Sequence, residues 1–211
     1  RDELAPVWEG EPFEATVARA AARSIPNDGA LFVSSSMPIR DVDAFVTCED
    51  YCGPALGNRG ASGIDGITST ALGAALATGR PTLCLTGDVA FLHDVGGLLA
   101  SRSIASPVVF VVINNDGGGI FQMLPIRDHE PAFTKFFATP HGLHFEHAAA
   151  LYGLPYAAVL PQDLEGVSRD AFAAGGIHVL EVMMDRPRNL ELRNAAKERV
   201  QQAAQAAVRN L

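Results

Sequence analysis

Two stretches place polar chemistry at the ends of apolar runs. In PTLCLTGDVA (81–90) the run ends on Gly87 and Asp88, and in PVVFVVINNDGGG (107–119) a second one ends on Asn114, Asn115, Asp116 and three glycines. Asp88 offers a carboxylate and Asn115 an amide oxygen, and a chain turning through glycines can bring a main-chain carbonyl to the same point. These are hard oxygen ligands, the set that suits Mg²⁺ or Ca²⁺ and not zinc. A Mg²⁺ with so few protein ligands completes its octahedron with water and phosphate oxygens. The Gly87-Asp88 turn also opens a predicted helix, whose unpaired N–H groups and dipole favour an anion. Each feature alone has a plainer reading, Asp88 as a helix cap and NNDGGG as a glycine-rich turn. At matching ends of neighbouring strands, they predict a metal with a phosphate or diphosphate beside it.

The elements that must position these residues follow from periodicity. Helical spacing in EPFEATVARAAARSI (11–25) is followed by an apolar strand in ALFVSSS (30–36). The alternation repeats: ITSTALGAALATG (67–79) as helix, PTLCLTGD as strand, HDVGGLLASRSI (93–104) as helix and PVVFVVINN as strand. HFEHAAALYG (144–153) and PQDLEGVSRDAFAAG (161–175) then read as helices, with LPYAAVL (154–160) and GIHVLEVMMD (176–185) as strands. Strands alternating with helices predict an α/β fold, doubly wound, with a mainly parallel sheet and helices on both faces. Uninterrupted apolar strands agree, because parallel strands are buried on both sides. The Ala-, Gln- and charge-rich tail, 186–211, predicts a terminal helix. The segment 117–139 is an unusually long strand-to-helix connection, of the kind that often carries function. In such a sheet ligands gather outside the carboxyl ends of the strands, so SSSMPIR (34–40), TGDVAFLHD (86–94) and NNDGGG (114–119) are the ends that matter. His93 and Asp94, at a predicted helix start, read as capping and surface residues, and Asp116 as structural.

Bulk composition narrows the function. The 211 residues are 48% hydrophobic, enough for one large domain spanning 1–211. A formal charge of −8 and the absence of a Lys/Arg cluster argue against nucleic acid as partner. No apolar run approaches the roughly 18 residues of a transmembrane segment, and residues 1–10 lack the order of a signal peptide, which predicts a cytoplasmic protein. Cys48 and Cys52, four apart with no second pair, read as free thiols before a zinc site. The chain lacks an initial Met, which suggests a piece of a longer one.

The spacing from Asp88 to Asn115, 115 − 88 = 27 positions, resembles the GD(G)…NN diphosphate motif of the thiamine-diphosphate-dependent enzymes. The resemblance implies thiamine diphosphate and Mg²⁺, with Mn²⁺ as a possible substitute, the metal being held by Asp88, Asn115 and the carbonyl of Gly117. Val89 stands where the motif usually has Gly, and Ala90 where Ser often follows, which is compatible with phosphate binding by main-chain N–H groups from Gly87 onward. NRGASGIDG (58–66), SSMPIRD (35–41) and NNDGGGIFQMLP (114–125) resemble, more narrowly, a carboligase branch of the family in menaquinone biosynthesis. That branch implies decarboxylation of 2-oxoglutarate and addition of the remaining four-carbon unit to isochorismate. By the same resemblance Ser36, Arg40 and Arg59 bind substrate carboxylates, Gly63 and Ile64 meet the cofactor, Ile64 props it in a bent shape, and Ile120, Phe121 and Leu124 form an apolar wall. The activating Glu is then expected on the pyrimidine-binding domain of another subunit, in a homodimer or homotetramer, and no residue of this chain replaces it. Two other readings stay open: a diphosphate-binding subunit of a two-chain 2-oxoacid decarboxylase, and a non-enzymatic nucleotide-binding regulatory domain. The second lacks GxGxxG after the first strand and any GxxxxGK[ST].

Overall fold

The computed structural model describes residues 8–209. At its centre lies a six-stranded sheet of order β2-β1-β3-β4-β6-β5, parallel at every pairing. The strands are β1 Ala30–Val33, β2 Ala55–Leu56, β3 Thr82–Gly87, β4 Val108–Asn114, β5 Tyr156–Ala158 and β6 Ile177–Met183. Around them run α1 Glu14–Ser24, α2 Met37–Phe45, α3 Ile67–Thr78, α4 Asp88–His93, α5 Glu146–Leu151, α6 Leu164–Ala174 and α7 Arg186–Arg209. The last two residues of the expected terminal helix, 210 and 211, and the start of the chain, 1–7, lie outside the described residues.

Period-2 geometry explains why the central strands are apolar without alternation. Leu83, Leu85, Val109, Val111 and Ile113 point to one face, against Val17, Ala18 and Ala21 of α1 and Leu164 and Phe172 of α6. Cys84, Phe110 and Val112 point to the other, against Ile67, Ala71, Leu72 and Ala75 of α3, Phe91 and Phe145. Each large side chain taken fully out of water stabilises the fold by about 1.5–3 kcal/mol, so β3 and β4 are the most firmly held elements. Helices α1 and α3 press small residues on the sheet, which lets their axes approach closely.

The expected helix at 93–104 is not one α-helix. The α-helical turn begins earlier, at Asp88, and residues Val95–Ser103 wind as a 3-10 helix. Packing is the reason: a Cβ at Gly97 would lie 3.0 Å from the Ser69 amide nitrogen, so this stretch runs hard against the start of α3. Asp94 seals the contact by accepting from the Ser69 N–H at 2.7 Å and its hydroxyl at 3.1 Å, so it caps α3 and not its own helix. His93 ends α4. Two elements were not legible at all, the two-residue edge strand β2 and helix α2, whose Met37, Pro38 and Phe45 are buried around the charged Arg40 and Asp43. The connection 117–139 carries 3-10 turns at Gly119–Met123 and Pro125–Asp128 and a π turn at Thr134–Ala138. Among the described residues no helix is long and apolar enough to cross a membrane.

Candidate cofactor-binding site

Strand β1 is flanked by β2 on one side and β3 on the other, so the winding of the chain reverses beside it. A crevice forms at such a switch point, outside the carboxyl ends of the strands. Here it is a cavity of about 420 Å³. Strand β1 contributes Ser36 and Arg40 through the start of α2, and the 57–66 loop contributes Arg59, Gly63 and Ile64. Strand β3 and α4 contribute Gly87, Asp88, Val89 and Ala90; β4 contributes Asn115, Gly117, Ile120 and Phe121. Leu124 is the exception among the residues singled out in the sequence: the turn after Met123 leaves it 48% exposed and outside the cavity wall.

Asp88, 2% exposed, holds the floor together. Its Oδ2 accepts from the N–H of Asn115 at 3.1 Å and of Gly117 at 2.9 Å, which ties the β3 and β4 ends to one atom. His141 Nε2 lies 3.1 Å from the same oxygen, while its Nδ1 accepts from the Leu143 N–H at 3.0 Å. The ring proton therefore sits on Nε2 and is donated to Asp88. Oδ1 takes a single bond, from the Val89 N–H at 2.6 Å, and keeps acceptor capacity. Burial raises the Asp88 pKa, an effect partly offset by these donors, and a bound cation would offset it further.

Asn115, 8% exposed, shows a matching feature. Its Nδ2 donates to Glu14 Oε1 at 2.6 Å, whereas its Oδ1 is buried with no hydrogen-bond partner. A buried acceptor left unpaired costs about 1–3 kcal/mol, so this oxygen is suited to a group that the chain itself does not supply. The Gly117 carbonyl follows two residues on, and Gly117 adopts φ +129°, where a Cβ would collide with the Ala138 carbonyl. Among the described residues no cluster of three His, Cys, Asp or Glu side chains could hold a metal. One carboxylate, one amide oxygen and one carbonyl fit a hard divalent cation that brings its remaining oxygen ligands with it.

Backbone strain concentrates at the same place. Ser36 (φ 74°) and Ser62 (φ 47°) line the cavity in the left-handed region, and Asp116 (φ 61°) joins Asn115 to Gly117. Such conformations cost about 1–3 kcal/mol each for residues other than glycine and persist only where the surroundings enforce them. At Asp116 the enforcement is visible, since its Oδ1 accepts from the N–H groups of His141 at 2.8 Å and Gly142 at 2.7 Å. Arg40 and Arg59 stand exposed at the rim, Arg40 bonded to the Ser36 carbonyl at 2.5 Å and Arg59 to Ser35 Oγ at 3.3 Å. Sequence reasoning missed Glu14 and His141. A Glu in the first turn of a helix reads as a capping residue, and nothing local to His141 announces a contact 53 positions away.

A doubly wound sheet with a diphosphate-sized cavity at its switch point, lined by hard oxygen donors, defines a class of cofactor-binding domain. Residues 58–182 match the family described as thiamine pyrophosphate enzyme, C-terminal TPP binding domain, and the chain belongs to that family. Among curated relatives it is similar to 2-succinyl-5-enolpyruvyl-6-hydroxy-3-cyclohexene-1-carboxylate synthase of Rubrobacter xylanophilus, 48% identical across 85% of this chain and 31% of the relative. The synthases of that name from Haloarcula marismortui and Bacillus pumilus are 47% and 42% identical, over 92% and 82% of this chain and 32% and 30% of theirs. The chain thus spans about a third of the length of these relatives. Among solved structures, a putative thiamin diphosphate-dependent enzyme from Mycobacterium smegmatis superposes with a TM-score of 0.64 at 23% identity, over 82% of this chain and 32% of that one. Benzoylformate decarboxylase from Polynucleobacter necessarius gives 0.64 at 16%, over 85% and 34%. These two likenesses speak to the fold.

Proposed function

We propose that the chain is the diphosphate-binding domain, 1–211, of a longer 2-succinyl-5-enolpyruvyl-6-hydroxy-3-cyclohexene-1-carboxylate synthase, a cytoplasmic carboligase taking 2-oxoglutarate and isochorismate. The observation that carries the reading is the buried, unpartnered Asn115 Oδ1 in the same cavity wall as Asp88, within a chain 42–48% identical to synthases of that name. Asp88 Oδ1, Asn115 Oδ1 and the Gly117 carbonyl would hold Mg²⁺, or Mn²⁺ in its place. Main-chain N–H groups from Gly87 to Ala90 other than that of Val89, which is bonded to Asp88 Oδ1, would receive the diphosphate; α4 is only six residues long, so its first-turn amides matter more than its dipole.

Bound thiamine diphosphate supplies the electron sink for decarboxylation and carbon–carbon bond formation. Ile64, half-buried beside Gly63, would support it from below. Arg40 and Arg59 would pair with substrate carboxylates, for which a planar guanidinium is suited, with Ser36 adding a hydroxyl. Ile120 and Phe121, the latter braced edge-on against Phe137 at 5.5 Å, would exclude water. Leu124 would join them only if the 119–128 segment closes over the bound cofactor. The activating Glu would come from the pyrimidine-binding domain of another subunit, in a homodimer or homotetramer.

Thermal melting tests the cofactor assignment. Thiamine diphosphate with Mg²⁺ is expected to raise the melting temperature, NADH and ATP are not, and Asp88→Asn or Asn115→Ala is expected to abolish the rise. Stabilisation by NADH or ATP alone would overturn the reading. For the substrates, the complete enzyme carrying Arg40→Ala or Arg59→Ala should lose product formation; unchanged rates would remove the carboxylate-binding role.

A further inference from the structure

An amide ligand has two faces that differ only in one atom. Turning the Asn115 side chain by half a turn about its last torsion would present Nδ2, a donor, where a cation needs Oδ1, and the two arrangements occupy nearly the same space. Something must decide between them. On the Nδ2 side lies Glu14 Oε1, 2.6 Å away, in a carboxyl only 1% exposed. Glu14 is 101 positions from Asn115 and held independently: its own N–H donates to Asn189 Oδ1 of α7 at 2.8 Å, and it opens α1, whose Ala15, Val17 and Ala18 are buried. Asn189 is itself 8% exposed. A chain of buried polar contacts therefore runs from α7 through α1 to the end of β4.

We infer that Glu14 is a positioning residue of the metal site, fixing the Asn115 amide with Nδ2 turned toward α1 and Oδ1 turned into the cavity. The inference rests on the proposed Mg²⁺ site. Glu14 Oε1 accepts from Nδ2 where it stands, so the pair selects the Nδ2 face of the amide and leaves Oδ1 to the cavity. Groups that orient a ligand in this way typically change metal affinity by about 10–100-fold when removed. Glu14 does not touch the cation in this arrangement and is not a catalytic residue.

The test is isothermal titration of Mg²⁺, with saturating thiamine diphosphate, into the complete enzyme. Glu14→Ala is expected to weaken Mg²⁺ by about tenfold or more, while Glu14→Gln, whose amide oxygen can accept the same bond, stays close to wild type. In an Asn115→Ala background the Glu14→Ala change should have no further effect, because the amide it orients is gone. Equal Mg²⁺ affinity of Glu14→Ala and wild type, or independent multiplying losses in the double variant, would overturn the inference. If Glu14→Ala does not fold, Glu14→Met decides: it fills the same space without an acceptor for Nδ2, and Mg²⁺ is expected to weaken by about tenfold or more. Wild-type Mg²⁺ affinity in Glu14→Met would equally overturn the role. Failure of the wild-type enzyme to bind Mg²⁺ with the cofactor would overturn the proposed function itself, a result distinct from any of these.

Discussion

Asp88 does two jobs that mutation can separate. On the proposed reading its Oδ1 would bind the cation, and as a structural acceptor it gathers the Asn115 and Gly117 N–H groups and His141 on Oδ2. Asp88→Ala strands four donors, the three on Oδ2 and the Val89 N–H on Oδ1, and about 1–3 kcal/mol is lost for each buried group left unpaired, so this variant should melt well below wild type even without cofactor. Asp88→Asn keeps an acceptor oxygen and should melt closer to wild type while losing the cofactor-dependent rise. Melting both apoproteins side by side checks this; equal apo stabilities would show that Oδ2 is not the tie. Gly117→Ala forces a Cβ into the Ala138 carbonyl at φ +129° and should cost about 2–4 kcal/mol in denaturant unfolding. Asp88, Asn115 and Gly117 were readable as neighbours in one cavity wall because residue type, order and strand context converge on them. Glu14 and His141 were not, because their partners lie 101 and 53 positions away and their types are ordinary where they stand.

Elements hold these residues through contacts that periodicity does not encode. Asp94 caps α3 across the Gly97 approach, so Asp94→Ala should destabilise by about 1 kcal/mol, the usual cost of losing an N-terminal cap, read from urea unfolding. Asp50 anchors the turn after α2 to α1: its Oδ1 accepts from Arg19 Nε at 2.8 Å and its Oδ2 from Thr47. Burial pushes its carboxyl up, but the Thr47 and Arg19 bonds outweigh it and the pKa is lowered. A depressed carboxylate contributes stability above its unfolded value and loses it as the pH falls through the folded one. The stability gap between wild type and Asp50→Asn should therefore be open at neutral pH and close below about pH 4; a gap independent of pH would refute the assignment. The strands and long helices were legible because burial on both sheet faces demands continuous apolar runs. The 3-10 path of 95–103 was not, because close packing on α3 sets it, and β2 was not, because two exposed residues carry no pattern.

At the scale of the whole molecule the cavity is partly open, with Arg40 and Arg59 exposed in its lining. On the proposed reading a pyrimidine-binding domain supplies the rest, so the 211 residues alone should bind thiamine diphosphate weakly and release no CO₂ from 2-oxoglutarate. Turnover by the isolated chain would contradict this. The C-terminal helix belongs to the site's support and not merely to the surface. Its Asn189 meets Glu14, and its Arg193 forms a buried ion pair with Asp41, the neighbour of Arg40. Residue order alone determined the α/β alternation, the parallel sheet and the meeting of Asp88 and Asn115 at neighbouring strand ends, because strand burial and the polar ends of apolar runs are properties of local type and spacing. Only the tertiary structure decided that the Asn115 amide oxygen stays unpaired and which oxygen of Asp88 is already used. Each of those depends on a group brought in by another part of the chain, and contact across such distances leaves no trace in local pattern.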